Sequence, residues 1–264
     1  MKVLFIGDIM GRPGRSVIKG LLEKVTYEHG VEFIIANGEN TAGGKGITRE
    51  VARELFASGI DVLTGGNHTW QNREVYHIID EDKRILRPAN YPQMAEVPGH
   101  GTGVFETSSG VIVGVINLQG RIFMPPIDCP FQKAREVAPR LRDITKVLIV
   151  DFHAEATSEK VAMGWFLDGQ VSAVLGTHTH VQTADERILP GGTAYLTDAG
   201  MTGSHDGVIG VKRDIVLDGM LTRLPVRHKL STGDLELNAV LIEIDDNSGK
   251  ALSIQRIHQK LGQS

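Results

Sequence analysis

The sequence predicts an α/β fold: a parallel sheet flanked by helices, inside one domain spanning residues 1–264 with a mixed, two-sheet core. Three observations predict it. Short apolar runs alternate with stretches of helical spacing. Each run stops at a small polar cluster. The tail carries two alternating segments suited to an antiparallel pair.

In chain order, Val3–Ile6 is a continuous apolar run ending at Gly7-Asp8, the pattern of a buried strand. Ser16–Tyr27 follows with Val17, Leu21, Leu22 and Val25 on one helical face. Phe33–Ala36 reads as a second strand and ends in Asn37-Gly38-Glu39-Asn40. Thr48 suits the N-cap of a helix running to about Ser58. Asp61–Thr64 is a third strand, ending in Gly65-Gly66-Asn67-His68, and a helix covers Glu74–Ile79. Arg87–Gly103 is rich in Pro and Gly and reads as a loop. Gly103–Glu106 and Val111–Leu118 form a hairpin through Ser108-Ser109-Gly110. Pro125-Pro126 and Pro130 mark a second irregular stretch.

Alternation then resumes. Lys146–Val150 is a strand ending in Asp151-Phe152-His153, followed by a helix over Ser158–Leu167. Val171–Leu175 ends in Gly176-Thr177-His178-Thr179-His180, and Thr193–Leu196 ends at Asp198. Leu235–Ile244 and Ala251–Ile257 close the chain as an antiparallel pair. No internal repeat, low-complexity tract or linker interrupts this order.

The composition, 41% hydrophobic and 23% charged, is that of a soluble globular protein. The net charge of −4 argues against binding nucleic acid through a whole basic surface, so RNA as a partner is not indicated by charge. A small anionic substrate would then need local positive charge, such as metal ions. The single cysteine, Cys129, excludes an internal disulfide and fits a reducing compartment. The apolar run at the N-terminus is too short for a signal peptide or a membrane span. A cytoplasmic location with no membrane partner is expected, and a homo-oligomer is left open.

Five strand ends carry metal-type ligands: Asp8; Glu39 with Asn40; Asn67 with His68; His153; and His178 with His180. Each cluster alone has an ordinary structural reading as a turn or cap. Five of five with the same ligand chemistry is not explained by turn preference. Ligands sit beyond the C-terminal ends of strands in open α/β sheets, where these clusters fall. Mixed oxygen and imidazole donors suit Mn, Fe or Zn, and no cysteine competes among them. Seven or eight ligands are too many for one ion. They suit two, spaced about 3.5–4 Å apart around a shared carboxylate. Glu39, central among the strand ends, is the expected bridge. Asp8, Asn40 and His180 would complete one ion; Asn67, His153 and His178 the other. His178 and His180 are two apart, so an extended segment would point both to one side.

Gly7-Asp8, Gly66-Asn67-His68, His153 and Gly176-Thr177-His178-Thr179-His180 together resemble the calcineurin-like metallophosphoesterase pattern. More closely, Asn37-Gly38-Glu39-Asn40, Gly66-Asn67-His68-Thr69-Trp70, the run from Asp151 to Lys160 and the run from Gly176 to Asp185 resemble the bacterial YmdB subfamily. The similarity covers essentially the whole chain. Met10 stands where the broad family has a histidine ligand, and Glu39 where it has aspartate; both look typical of the subfamily. The resemblance implies a four-layer αββα sandwich and phosphodiesterase activity on 2′,3′-cyclic nucleotides.

The expected chemistry follows. Two divalent ions, Fe or Mn before Zn or Mg, would lower the pKa of a bridging water that attacks phosphorus. Asn40, Asn67 and His68 would bind the substrate, and His68 would serve as general acid for the leaving alkoxide. Weaker candidates are Asp198, as an orienter of a ligand histidine or equally a turn cap, Lys45 as a contact to substrate phosphate, and Arg121 as a nucleotide contact or equally a solvated loop arginine. Trp70 suits a base stack or a core role. The basic stretch Arg223–Lys229 reads as a solvated face. Two other functions compete: a metal-bearing regulator that binds nucleotide or RNA with low turnover, and a dinuclear amide or ester hydrolase.

Overall fold

The computed structural model describes residues 1–92 and 94–262. Its strands are β1 (Lys2–Ile6), β2 (Asp8–Ile9), β3 (Phe33–Asn37), β4 (Val62–Thr64), β5 (Ile85–Leu86), β6 (Thr102–Glu106), β7 (Ile112–Gln119), β8 (Val147–His153), β9 (Ala173–Thr177), β10 (Arg187–Ile188), β11 (Ala194–Leu196), β12 (Met201–Ser204), β13 (Leu235–Ile244) and β14 (Ala251–Lys260). Its helices are α1 (Gly11–His29), α2 (Arg49–Ala57), α3 (Val75–Glu81), α4 (Pro130–Arg142), α5 (Thr157–Leu167) and α6 (Arg213–Thr222).

The strands form two sheets. One runs β2-β12-β13-β1-β3-β4-β5, with β14 also paired to β13. The other runs β10-β11-β9-β8-β7-β6. β1, β3, β4 and β5 are parallel neighbours, as are β7, β8, β9 and β11. β13 and β14 close the first sheet as the antiparallel pair that their alternation predicts.

Alternation along the strands builds the layers. In β1, Leu4 and Ile6 pack outward against Val17, Leu21 and Leu55 of the helices, while Val3 and Phe5 pack inward. In β8, Val147 and Ile149 meet that inner layer, while Leu148 and Val150 face Ala138 of α4 and Met163 of α5. Successive side chains of a strand point to opposite faces, so each central strand serves two cores. Helices, sheet, sheet, helices is the four-layer αββα sandwich.

Several elements depart from the sequence reading. α1 begins at Gly11, not Ser16, because Arg12-Pro13-Gly14 form its first turn rather than a loop, and proline is tolerated there. α4 occupies the stretch that its prolines mark as irregular: Pro130 opens the helix and Pro139 lies in its last turn. The sequence pattern does not announce α6, β12 or the two-residue strands β2, β5 and β10. β8 continues through Asp151 to His153 and β9 runs to Thr177, beyond the expected ends. Thr48 caps α2 as expected, its side chain accepting from the Val51 N–H at 3.3 Å.

Candidate metal centre

The two sheets bring their strand ends together at one edge. Asp8 lies on β2, Glu39 and Asn40 follow β3, and Asn67 and His68 follow β4. His153 ends β8, and His178 and His180 follow β9. Asp8, Glu39, Asn40 and His153 are buried. All seven expected ligands and His68 converge, in the same two groups that the sequence suggests.

The first group centres on His153. Its Nε2 stands 3.0 Å from Asn67 Oδ1, 3.1 Å from His178 Nδ1 and 3.3 Å from Glu39 Oε2. Ligand atoms about one cation at ~2.1 Å bonds lie roughly 3.0–3.4 Å apart, so these separations fit an octahedral or tetrahedral edge. Glu39, His153 and His178 offer ligand atoms that all lie within 4.8 Å of one another. In the second group, Asn40 Nδ2 stands 3.1 Å from Glu39 Oε1, 3.3 Å from His180 Nε2 and 3.5 Å from Asp8 Oδ1. His180 Nε2 is 3.7 Å from Asp8 Oδ1. As placed, the Asn40 amide turns Nδ2 inward and Oδ1 toward His68; acting as a ligand requires the reverse orientation about χ2. Glu39 straddles both groups, one carboxylate oxygen on each.

Each histidine has its far nitrogen held. Thr177 Oγ1 donates to Asp151 Oδ1 at 2.7 Å, which leaves the hydroxyl to accept from His153 Nδ1 at 2.9 Å. His178 Nε2 faces Glu155 Oε2 at 3.2 Å. His180 Nδ1 donates to the Ile209 carbonyl at 3.3 Å. An acceptor on one ring nitrogen places the proton there and leaves the other a lone pair, so all three rings direct a lone pair at the cluster. Gly66 is needed for space, because a Cβ there would collide with the Glu39 carboxylate and the His153 ring.

The electrostatics match a cation. Burial pushes the Asp8 carboxyl above its ordinary range, against the pull of His180 and His153. Burial opposes ionisation of Glu39 too, but His153 and His68 together hold it well below the usual range. Burial would depress His153, yet Glu39, Asp8 and Asp151 raise it to about 9. His178 falls to about 3, through burial and then the charge on His153. Two buried carboxylates thus draw positive charge into the pocket, and a divalent metal fits both that demand and the donor set.

His178 and His180 are not on an extended segment. Their φ angles are 100° and 67°, so the chain turns sharply after β9 and each imidazole reaches a different group. Of the two roles the sequence allows Asp198, it is the one in the turn that the contacts bear out. Asp198 accepts from the Thr179 N–H at 3.1 Å and the Thr179 hydroxyl at 2.8 Å, and it pairs with buried Lys160 at 2.5 Å.

The remaining candidates divide. Lys45 lines the cleft beside His68 and His180. Arg121 does not; it borders a separate cavity with Cys129 and Lys133, where the Glu159 carboxylate accepts from its backbone N–H. Trp70 packs against Tyr76 and Tyr91, with ring centroids 5.0 and 5.9 Å away, which is a structural role. Sequence reasoning missed Asp151, Thr177, Asn37 and Glu155. Asp151 is fully buried in β8, accepts from Asn37 Nδ2 at 3.0 Å, and is raised by burial to about 6. A carboxylate and a hydroxyl within otherwise apolar strands were the signals available.

Residues 4–257 match the model of a family described as YmdB-like protein. A Bacillus subtilis protein named 2′,3′-cyclic-nucleotide 2′-phosphodiesterase is 49% identical over 257 residues, covering 97% of this chain and 96% of that one. Among solved structures, a hypothetical protein from Thermus thermophilus superposes with a TM-score of 0.92 at 38% identity, covering 99% of this chain and 100% of that one. A novel phosphatase from Mycoplasma pneumoniae gives 0.91 at 34% identity, covering 98% and 93%.

Proposed function

The chain belongs to the YmdB-like family, and from that premise we propose that it is a metal-dependent phosphodiesterase, working as one domain, that hydrolyses 2′,3′-cyclic nucleotides such as 2′,3′-cyclic AMP and GMP to nucleoside monophosphates. One observation carries the reading: three histidines with held far nitrogens aim lone pairs at a cluster built on buried Asp8 and on buried Glu39, whose two oxygens face both ligand groups.

Asp8, Glu39, Asn40 and His180 would hold one divalent ion, and Glu39, Asn67, His153 and His178 a second. Fe or Mn suits this mix best, with Zn or Mg also compatible. When bound, such ions supply the positive charge that activates water and offsets charge building on the phosphate. The chain does the rest. The Asn40 and Asn67 carboxamides border the cluster and would donate to non-bridging phosphate oxygens. His68 lines the cleft, with Nδ1 held at 2.7 Å by Asn40 Oδ1 and 3.1 Å from Glu39 Oε1. With the Asn40 amide reversed so that Oδ1 ligates, its Nδ2 would donate to His68 Nδ1 and leave the ring proton on Nε2, which has no protein partner among the described residues and would hand that proton to the leaving alkoxide.

The test is hydrolysis of 2′,3′-cyclic AMP. We expect turnover that is lost on chelation, restored by Mn or Fe, and abolished in Glu39→Gln. Metal uptake without turnover would make the chain a nucleotide-binding regulator instead, and activity confined to amides or carboxylic esters would overturn the phosphodiester reading.

A further inference from the structure

A cleft of about 890 Å³ opens outward from the candidate metal centre. Asn40, His68 and His180 form its inner wall. Farther out it runs between the loop at Lys45, helix α6 and the coil from Arg223 to Leu230. The outer walls are of two kinds. Ile209, Met220, Leu224 and Val226 are apolar; Lys45, Arg223 and His228 are basic. No carboxylate lines the cleft among the described residues. Lys45 and Arg223 form no ion pair among those residues either, in a chain whose net charge is −4.

The apolar wall is uncovered. Helix α6 buries none of its residues, and Met220 and Leu224 are 64% and 66% exposed. An apolar surface beside a polar site is where a ligand packs. The backbone at both ends of this wall is strained. Ile209 has φ 44°, which a β-branched residue rarely adopts. Arg223 has φ 60° at the end of α6, a position that glycine usually fills. Retaining bulky or charged side chains at such angles is typical of a functional surface.

We propose that the outer cleft is a subsite for a second phosphate, attached on the 5′ side of the cyclic nucleotide, with the base packed on the Met220–Leu224 wall. The inference rests on the phosphodiesterase reading and extends it. A 2′,3′-cyclic mononucleotide carries one negative charge, and that charge belongs at the metal centre. Lys45, Arg223 and His228 exceed what it needs. They suit the next phosphate of a longer anion, bound by charge-assisted hydrogen bonds. That phosphate is held, not cleaved: water adds to the cyclic phosphorus, one ring P–O bond breaks, and the freed ribose oxygen takes the proton. Two sources share this chemistry, a 5′-phosphorylated cyclic mononucleotide and an RNA strand ending in a cyclic phosphate.

The experiment compares kcat/KM for three substrates: adenosine 2′,3′-cyclic phosphate, its 5′-phosphorylated form, and the dinucleotide ApA ending in a 2′,3′-cyclic phosphate. We expect the added phosphate to raise kcat/KM at least tenfold, mostly through KM, with the gain shrinking as salt rises. Arg223→Gln and Lys45→Gln should each cut the ratio of phosphorylated to plain substrate severalfold, and their combination should bring it near one. A gain for the dinucleotide points to RNA ends, and a gain for the 5′-phosphate alone points to mononucleotides. Turnover of the plain cyclic nucleotide with a wild-type ratio near one overturns the subsite and leaves the phosphodiesterase reading standing. No turnover of any of the three overturns that reading itself. Calorimetric Kd values for the same ligands on the unmodified protein, which in that case leaves them intact, then decide the subsite, and equal affinities overturn it.

Discussion

His68 differs from the other site histidines in what its ring leaves free. His153, His178 and His180 each have one nitrogen held by an acceptor and the other aimed at the cluster. His68 has Nδ1 held by Asn40 and Nε2 unpartnered at the cleft wall, 27% exposed. A proton donor needs that access, and a metal ligand does not. We therefore expect His68→Asn to keep the metal content found by elemental analysis while lowering kcat by about 10²–10⁴-fold; near-normal turnover would remove His68 from the role. Thr177 makes the opposite case. Its hydroxyl relays Asp151 to His153 Nδ1 and touches no other ring. Thr177→Val removes the acceptor that sets the His153 tautomer and takes one donor from a buried carboxylate. Metal affinity, measured by chelator competition, should fall about 10–100-fold. An unchanged affinity would show that Thr177 only fills space.

At the scale of elements, the long strands and the closing hairpin were legible because their side chains alternate between two environments. The convergence of the seven expected ligands was legible for a related reason: six lie at or just after the ends of β3, β4, β8 and β9, Asp8 lies just after β1, and parallel strands end together. What escaped had weak patterns. α4 packs through Ala134, Ala138 and Leu141, and two alanines leave little apolar signal beside two prolines. α6 has no fully buried residue and is half-buried only at Ile215, Val216 and Gly219, so burial imposed little of a stripe on it. The turn after β9 escaped because its shape is dictated from outside, by Asp198 and Lys160, which are distant in the chain. Lys160 of α5 and Asp198 are each 1% exposed and pair across the outer face of that turn. Removing one partner of a buried pair leaves an uncompensated charge. Lys160→Met should destabilise the protein by about 3–5 kcal/mol in urea denaturation, and adding Asp198→Asn should recover part of the loss. A single mutant as stable as wild type would mean that Asp198 finds enough compensation from Thr179 and Gly200.

For the molecule as a whole, the candidate centre is where its two halves meet. Asp8, Glu39, Asn40 and Asn67 come from the sheet built on β1 and β3; His153, His178 and His180 come from the sheet built on β8 and β9. The sheets share an apolar layer of residues such as Phe5, Ile35, Val115 and Ile149. At the site edge that layer gives way to buried carboxylates and imidazoles, which an apolar contact cannot hold together. A cation bound there bridges the sheets in the native state and has no equivalent in the unfolded chain. Mass action then converts binding into stability, about 2.7 kcal/mol when free metal is a hundredfold above Kd. For a chain of this length each kcal/mol moves Tm by roughly 2–4 °C. Chelation should accordingly lower Tm by about 5–10 °C, with the far-UV circular dichroism of the folded state retained and the shift reversed by Mn or Fe. In Glu39→Gln, which lacks the carboxylate common to both groups, chelation should move Tm far less. A wild-type Tm indifferent to chelator and to added metal would mean that the converging side chains hold no cation, and the catalytic reading built on them would fall with it.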